Sequence, residues 1–154
     1  MKFNPIRYSS AVGEVWTHSM YKVKYCHPIF DTFAYRNAMR ALFLKAFREY
    51  SIRCKEKEIG FDSNHVHMDL DLGLRSKPQI AKLLKGYTAR KFFKLFPELK
   101  RPRNEGGLFW GGGLWSPAYY GGSSNGNTLD YIRRQKYGSA NLKSSQQKLV
   151  QFFA

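Results

Sequence analysis

The stretch HVHMDLDL, residues 65–72, alternates polar and apolar side chains along its whole length. Alternate side chains of a β-strand share a face, so the pattern predicts a strand with one apolar and one polar face. The apolar face, directed at packed helices, holds Val66, Met68, Leu70 and Leu72. The polar face, which we expect to be open, holds His65, His67, Asp69 and Asp71. Two imidazoles and two carboxylates therefore stand in one row.

The residues before this stretch predict a strand, a helix and a second strand. Within residues 15–26, Tyr21, Val23 and Tyr25 alternate with Lys22 and Lys24, as a half-buried strand requires. Asp31 is a candidate N-cap for a helix that extends to Tyr50, because apolar side chains recur there at helical spacing. Residues 52–61 mix apolar and charged side chains and predict the second strand.

The residues after it predict a second helix and a last strand. Ser76, with Pro78 close behind, marks the start of a helix that extends to about Leu95. The apolar segment GLFWGGGLW, residues 107–115, predicts the last strand, with bulges at its glycines. The order βαββαβ is that of an α+β, ferredoxin-like fold, in which an antiparallel sheet carries both helices on one face and leaves the other free for a ligand.

The chain of 154 residues fits a single domain. We expect the ferredoxin-like core to occupy about residues 13–120. The segment GGSSNGN, residues 121–127, has the composition of a flexible linker. Two further helices, over residues 128–137 and 139–153, are predicted in the remainder of the chain.

The charge of the chain predicts a polyanionic partner. Lys and Arg number 26 against 11 Asp and Glu, which gives a formal net charge of +15. Cations stand beside aromatic residues at 90–94, and cations at 100–103 lie near Trp110 and Trp115. Single-stranded nucleic acid is bound by such surfaces, because cations follow the phosphates and rings stack on unpaired bases.

Several other classes of protein are excluded by composition. A hydrophobic fraction of 43% and an aromatic fraction of 16% exclude a disordered chain. The two cysteines, Cys26 and Cys54, form no disulfide framework and suit a reducing compartment. No stretch approaches the roughly 20 apolar residues of a membrane span, and the first residues lack the apolar segment of a signal peptide. We therefore expect a soluble, cytoplasmic protein.

His65 and His67, two apart on a strand, can direct ring nitrogens at one divalent cation. A carboxylate of the same row would add oxygen, and mixed nitrogen and oxygen ligands suit Mn, Mg or Zn. A solvated polar edge gives the same pattern, because neutral histidines often only satisfy hydrogen bonds. His18 and His27 have no partner pattern and are interpreted as structural or surface residues.

Tyr131 and Gln135 are four residues apart in a predicted helix and are therefore neighbours on one face. The phenol can act as a nucleophile, but its ordinary pKa of about 10 means that a nearby cation must stabilise the charge of a phosphate and its leaving group. A tyrosine on an amphipathic helix is also a common core residue, and this chain has 10 tyrosines. The nucleophile and the metal interpretation thus depend on each other.

Four blocks in one chain carry a resemblance to a known family. They are HVH at 65–67, KGYTAR at 85–90, LWSPAYYGG at 114–122 and YIRRQ at 131–135. In order and spacing they resemble the single-tyrosine insertion-sequence transposases, the TnpA family of the HUH endonuclease superfamily. The resemblance extends from about Val15 to Gln135 and covers most of the chain.

The resemblance implies a DNA transposase that cleaves and rejoins single-stranded DNA at the ends of an insertion sequence. Tyr131 would attack a phosphodiester and form a 5′-phosphotyrosine intermediate with a free 3′-hydroxyl, without ATP. His65, His67 and Gln135 would hold a divalent metal, Mg or Mn. The strand pattern by itself permits Asp69 equally well as the third ligand.

The resemblance also implies partners. Family members form homodimers that bind DNA hairpins, and a composite active site combines the histidines of one subunit with the tyrosine helix of the other. A protein of this kind would be cytoplasmic and associated with the nucleoid when bound to DNA. Two alternatives remain: another HUH nickase of the replication-initiator or relaxase type, and a nucleic-acid-binding module without catalysis.

Overall fold

The computed structural model describes residues 7–8 and 11–141. A short ribbon of two strands, β1 (Arg7–Tyr8) and β2 (Ala11–Val12), precedes a four-stranded sheet. The strands of that sheet are β3 (Trp16–Val23), β4 (Arg53–Phe61), β5 (His65–Asp71) and β6 (Trp115–Ser123). The helices are α1 (Phe33–Tyr50), α2 (Lys77–Leu95) and α3 (Thr128–Arg133).

The sheet has the strand order β4-β5-β3-β6, and every pair of neighbours is antiparallel. This order, combined with α1 after β3 and α2 after β5, is the α+β, ferredoxin-like βαββαβ arrangement that the sequence predicted. Because β5 lies between β3 and β4, both of its edges are hydrogen-bonded to neighbouring strands. None of the helices among the described residues is long and apolar enough to cross a membrane.

The apolar face of β5 forms the centre of the core, as its alternation predicted. Val66, Met68 and Leu70 are fully buried against the side of the sheet that carries α1 and α2. Complete burial of an aliphatic side chain stabilises a fold by about 1.5–3 kcal/mol relative to its exposure. A one-residue slip of this strand would exchange these side chains for imidazoles and carboxylates, so the hydrophobic pattern fixes its register.

The N-cap of α2 agrees with the prediction, and that of α1 does not. Ser76 accepts a hydrogen bond from the backbone N–H of Gln79, whose side chain accepts one from the N–H of Ser76, which makes a complete capping box. The residue before α1 is Thr32, one position after the predicted cap. Asp31 instead accepts hydrogen bonds from the hydroxyls of Ser63 and Tyr137, both at 2.7 Å. Its carboxylate ties distant segments together and does not cap the helix.

The prediction of a last strand over residues 107–115 is wrong, because that segment is a folded loop. A Cβ atom on Gly107 would lie 1.7 Å from the carbonyl oxygen of Arg101, so the loop backbone turns against itself there. Two apolar side chains of this loop, Phe109 and Leu114, are fully buried and anchor the loop to the core. The last strand is β6, which begins at Trp115, where the predicted strand ends.

The predicted linker and the helices after it are also revised. The first three residues of the segment 121–127 belong to β6, where Gly121 and Gly122 pair with Ser19 and His18 of β3. The helix predicted over 128–137 ends at Arg133. Most of the helix predicted over 139–153 lies outside the described residues.

The second face of the sheet is covered where the sequence predicted an open face. α3 packs across β4 and β5, and Ile132 is fully buried beneath it. The backbones approach so closely that a Cβ atom on Gly60 of β4 would lie 2.2 Å from the carbonyl oxygen of Ile132. Arg133 adds an ion pair to Glu58, with 3.2 Å between Nε and Oε1.

The contact at Gly60 predicts a local effect of substitution. Gly60→Ala adds a methyl group where no space exists, and we expect it to lower the free energy of opening of α3 by about 1–3 kcal/mol. Hydrogen exchange of the backbone amides of residues 128–138 measures this change.

Gly86→Ala is the matched control, because a Cβ atom on Gly86 in α2 meets nothing within 4 Å. Alanine there gains helix propensity, worth about 0.5–1 kcal/mol. We expect the control to leave exchange in α3 unchanged. Equal amide protection of α3 in Gly60→Ala and Gly86→Ala would show that the contact between Gly60 and Ile132 does not limit the opening of α3.

Candidate active site

The docking of α3 places Tyr131 over the histidines of the sheet. The ring centroid of Tyr131 lies 5.3 Å from that of His67 on β5 and 5.5 Å from that of His18 on β3. The Tyr131 side chain remains half exposed. A phenol, an imidazole pair and access from solvent therefore meet at one place, although 64 residues separate His67 from Tyr131 along the chain (131 minus 67).

His67 is the most deeply buried histidine of the group. Its Nδ1 lies 2.9 Å from Nε2 of His18, and its own Nε2 has no hydrogen-bond partner among the residues that the structure describes. Burial, with smaller contributions from His65 and His18, lowers the pKa of His67 to about 3. The imidazole is therefore neutral near pH 7, the form in which histidine binds a metal.

His65 stands beside His67, with 4.9 Å between the ring centroids. Its Nδ1 lies 2.8 Å from Oδ1 of Asn64, so this nitrogen carries the hydrogen and donates it to the amide oxygen. Burial also lowers the pKa of His65 below its ordinary value. With Nδ1 protonated, the neutral ring has its lone pair on Nε2.

Gln135 lies two residues beyond the last residue of α3 and is nearly buried. Its Nε2 donates a hydrogen bond to the carbonyl oxygen of Tyr131 at 3.0 Å. This contact uses the nitrogen of the side-chain amide and keeps the amide in place one turn after the tyrosine. The remaining functional group is the carbonyl oxygen, a ligand that Mg and Mn accept.

The two carboxylates of the row are buried, and each accepts hydrogen bonds. Asp71 is buried and bonds to the guanidinium of Arg53 and to the backbone N–H groups of Val15 and Gly73. Asp69 accepts a hydrogen bond from Ser124 Oγ at 2.6 Å, while its Oδ1 has no partner among the described residues.

No group of three or more His, Cys, Asp or Glu residues in the described part of the chain is arranged to hold a metal ion. Asp69 therefore does not complete a three-ligand set with His65 and His67. Gln135 is of another residue type; its amide is bonded to the carbonyl of Tyr131, whose ring lies 5.3 Å from that of His67. Two neutral imidazoles and an amide oxygen are a donor set that fits a divalent cation.

The cations and rings predicted to bind nucleic acid divide into core and surface residues. Phe92 and Trp115 are buried in the core and present no stacking surface. Trp110 is half exposed, and the guanidinium of Arg103 lies 5.5 Å from its ring centroid. Both residues line a cavity of about 430 Å³ together with Tyr25.

One residue of the site, His18, and one residue of the cavity beside Trp110, Tyr25, were not recognised from the sequence. Tyr25 was predicted to alternate within a strand, but β3 ends at Val23 and Tyr25 has a left-handed backbone with φ of 61°, which exposes its ring. His18 was interpreted as a structural or surface residue. The available signal was strand parity, because burial of Tyr21 and Val23 against the helices places even-numbered residues of β3 on the face of α3.

Comparisons with known proteins agree with this architecture. A family model described as "Transposase IS200 like" matches residues 11–136. The ISDra2 transposase TnpA of Deinococcus radiodurans is 37% identical over 75 residues, which are 48% of this chain and 48% of that protein. The chain thus aligns with about half the length of this curated relative.

Two solved structures share the fold. A crystal structure assigned to a transposase of Deinococcus radiodurans R1 superposes with a TM-score of 0.64 at 23% identity, covering 83% of this chain and 92% of that one. A REP-associated tyrosine transposase bound to a REP hairpin superposes with a TM-score of 0.51 at 15% identity, covering 92% of this chain and 72% of that one. At these identities, the two structures establish the fold alone.

The family model spans the four-stranded sheet, the three helices and the segment that contains Tyr131 and Gln135. The match covers most of the chain and confirms the resemblance to the TnpA-type tyrosine transposases. The chain therefore belongs to the IS200-like family of transposases.

Proposed function

We propose that this protein cleaves and rejoins single-stranded DNA at the ends of an insertion sequence, with Tyr131 as the nucleophile. The observation that carries the proposal is the position of the Tyr131 ring, half exposed and 5.3 Å from the ring of His67, whose Nε2 has no partner among the described residues. A solvent-accessible phenol packed against an imidazole with an unused nitrogen is suited to attack a bound phosphodiester.

The metal assignment rests on the donors around Tyr131. His65 and His67 are neutral imidazoles near pH 7, and Gln135 is held by its bond to the Tyr131 carbonyl. We assign these three residues as ligands of Mg or Mn. When bound, such a cation would polarise a phosphate oxygen and stabilise the charge of the leaving group.

The covalent step is an exchange of one phosphodiester for another. The Tyr131 hydroxyl loses its proton, its oxygen bonds to phosphorus, and the bond from phosphorus to the 3′-oxygen breaks. That oxygen takes up a proton and leaves as a free 3′-hydroxyl, while the 5′-phosphate stays on the tyrosine. Attack by another 3′-hydroxyl reverses the step and releases the phenol, so neither ATP nor a redox partner is required.

The cavity formed by Tyr25, Arg103 and Trp110 is the proposed contact for an unpaired base. It carries exposed rings for stacking and a guanidinium for phosphate, on a chain whose net charge is +15. Asn64 joins this region to the metal ligands, because it contacts both the carbonyl of Cys26 and the ring of His65. One solved relative is bound to a REP hairpin, which supports hairpin ends as the ligand here.

We further propose a homodimer with composite active sites. In the described structure, α3 packs on the sheet of its own chain, and residues 124–127 connect it to β6. In the proposed dimer, the path of residues 124–127 would differ so that α3 lies on the sheet of the partner. In either arrangement, the same residue types would surround the tyrosine.

The nucleophile is tested by Tyr131→Phe. Labelled oligonucleotides from both strands of the DNA beside the gene are incubated with protein and Mg or Mn, and a denaturing gel detects a covalent adduct. We expect the adduct to be absent in Tyr131→Phe, because the attacking oxygen is gone, while oligonucleotide binding persists.

Tyr120→Phe is the matched control, because Tyr120 is similarly exposed and its ring also lies against His18, at 5.7 Å. This variant is expected to form the adduct. An adduct in Tyr131→Phe would remove Tyr131 from the mechanism. Binding by the unsubstituted protein without an adduct, with both strands and both metals, would favour a binding module.

The third ligand is tested by comparing Gln135→Ala with Asp69→Asn. Loss of the amide oxygen is expected to weaken Mn²⁺ binding by at least about 10-fold, the lower end of the effects seen around metal sites. Asparagine at position 69 keeps an oxygen for the bond from Ser124 and is expected to leave the affinity unchanged. Isothermal titration with Mn²⁺ measures both, and the reverse order of effects would assign Asp69.

The base contact is tested by Trp110→Ala. Removal of a stacking ring is expected to weaken binding of single-stranded oligonucleotides by about 1–3 kcal/mol. Trp110→Phe retains a ring and is expected to retain most of the affinity. Fluorescence anisotropy of a labelled oligonucleotide measures both variants, and equal binding by Trp110→Ala and the unsubstituted protein would exclude this cavity.

A further inference from the structure

His18 makes the one side-chain hydrogen bond of His67 seen in the described residues. The two nitrogens, Nε2 of His18 and Nδ1 of His67, are 2.9 Å apart. The ring of His18 is itself held between aromatic neighbours, with centroids 5.5 Å from Tyr131 and 5.7 Å from Tyr120. The partner of His67 is therefore a fixed group and not a mobile surface side chain.

The contact holds a single proton, which has two possible positions. If His18 carries it, His67 accepts at Nδ1 and must keep its own hydrogen on Nε2, which is buried and has no partner in the described structure. If His67 carries it, His18 accepts at Nε2, and His67 keeps a bare lone pair on its Nε2. A buried N–H without an acceptor gives up its hydrogen bond to water without a replacement.

The second arrangement avoids an orphaned N–H group, which is rare in protein interiors. It also leaves an unshared electron pair on Nε2 of His67, whose ring lies against those of Tyr131 and His65. Ligand histidines of metal sites commonly donate their other N–H to a neighbouring acceptor, which fixes the tautomer and the direction of the ring. In this arrangement, Nε2 of His18 is the acceptor, and it fixes the tautomer and the ring direction of His67 in the same way.

We propose that His18 is a positioning residue that accepts the Nδ1–H of His67 and thereby fixes the tautomer with a free lone pair on Nε2 for the divalent cation. The cation part of this inference rests on the proposed function. The tautomer part concerns the metal-free protein and stands on the contact between the two rings.

The tautomer is measured in the metal-free protein by long-range ¹H–¹⁵N correlation of labelled histidines, which distinguishes protonated from bare ring nitrogens. The chain has 4 histidines, so single substitutions assign every signal. We expect His67 to be protonated on Nδ1 and bare on Nε2. A hydrogen on Nε2 of His67 would overturn the proposal without any substitution at His18.

Substitution of His18 tests its action on the cation. His18→Leu removes the acceptor, and we expect Mn²⁺ affinity, measured by the electron paramagnetic resonance of free Mn²⁺, to fall by about 10- to 100-fold. His18→Gln can place its amide oxygen near the former Nε2, and we expect it to restore most of the affinity. His27→Gln is the control, because His27 contacts the carbonyl of Leu108 in a different region.

The outcomes separate this inference from the function on which it depends. Absence of Mn²⁺ binding by the unsubstituted protein would overturn the metal assignment and this role of His18 with it. Equal affinity of the unsubstituted protein and folded His18→Leu would overturn the role of His18 alone. Failure of His18→Gln to bind better than His18→Leu would likewise contradict an acceptor at this position.

Discussion

The close contact between Gly60 and the backbone of Ile132 is the constraint on which the site depends. A side chain at position 60 would occupy the place of the Ile132 carbonyl, so only glycine lets α3 lie this near the sheet. That approach buries Ile132, positions Tyr131 over His67 and withdraws His67 from solvent. The neutral state of the imidazole and the location of the phenol thus share one structural cause, the depth at which a short helix rests on β4 and β5.

Burial of a polar strand face under a helix requires that its groups find partners, and the site meets this requirement unevenly. Asp71, away from the tyrosine, is fully satisfied by Arg53 and two backbone N–H groups. Nearer the tyrosine, Asp69 and His67 each retain one buried atom without a partner among the described residues. A native protein pairs nearly all such atoms, so these two exceptions on the polar face of β5 are consistent with a place arranged for chemistry and not for stability.

The parts of the molecule with strong local patterns were predictable from the sequence. Strand β5 follows from the period-two alternation of residues 65–72, and α2 follows from Ser76 with Pro78 close behind and the apolar stripe after them. β6 was misplaced, because the apolar loop at 107–115 resembles a strand in composition, whereas the true strand at an edge of the sheet contains Pro117 and two glycines. Such a strand is defined by its pairing with β3, and pairing between distant segments leaves no local pattern. The packing of α3 on the second face of the sheet and the contact of His18 with His67 also join distant segments. No local sequence pattern predicts either of them.

The length of α3 has a consequence for the response of the molecule to heat. A helix of six residues is too short to persist in water by itself, and the exposed pair of Asp130 and Arg134 adds little to it. Its helical conformation is stabilised by packing against β4 and β5. Opening of this one element costs less free energy than unfolding of the sheet, which keeps its own core of buried strands and two long helices. The arrangement around Tyr131 accordingly has a thermal limit of its own, below the melting temperature of the domain that carries it.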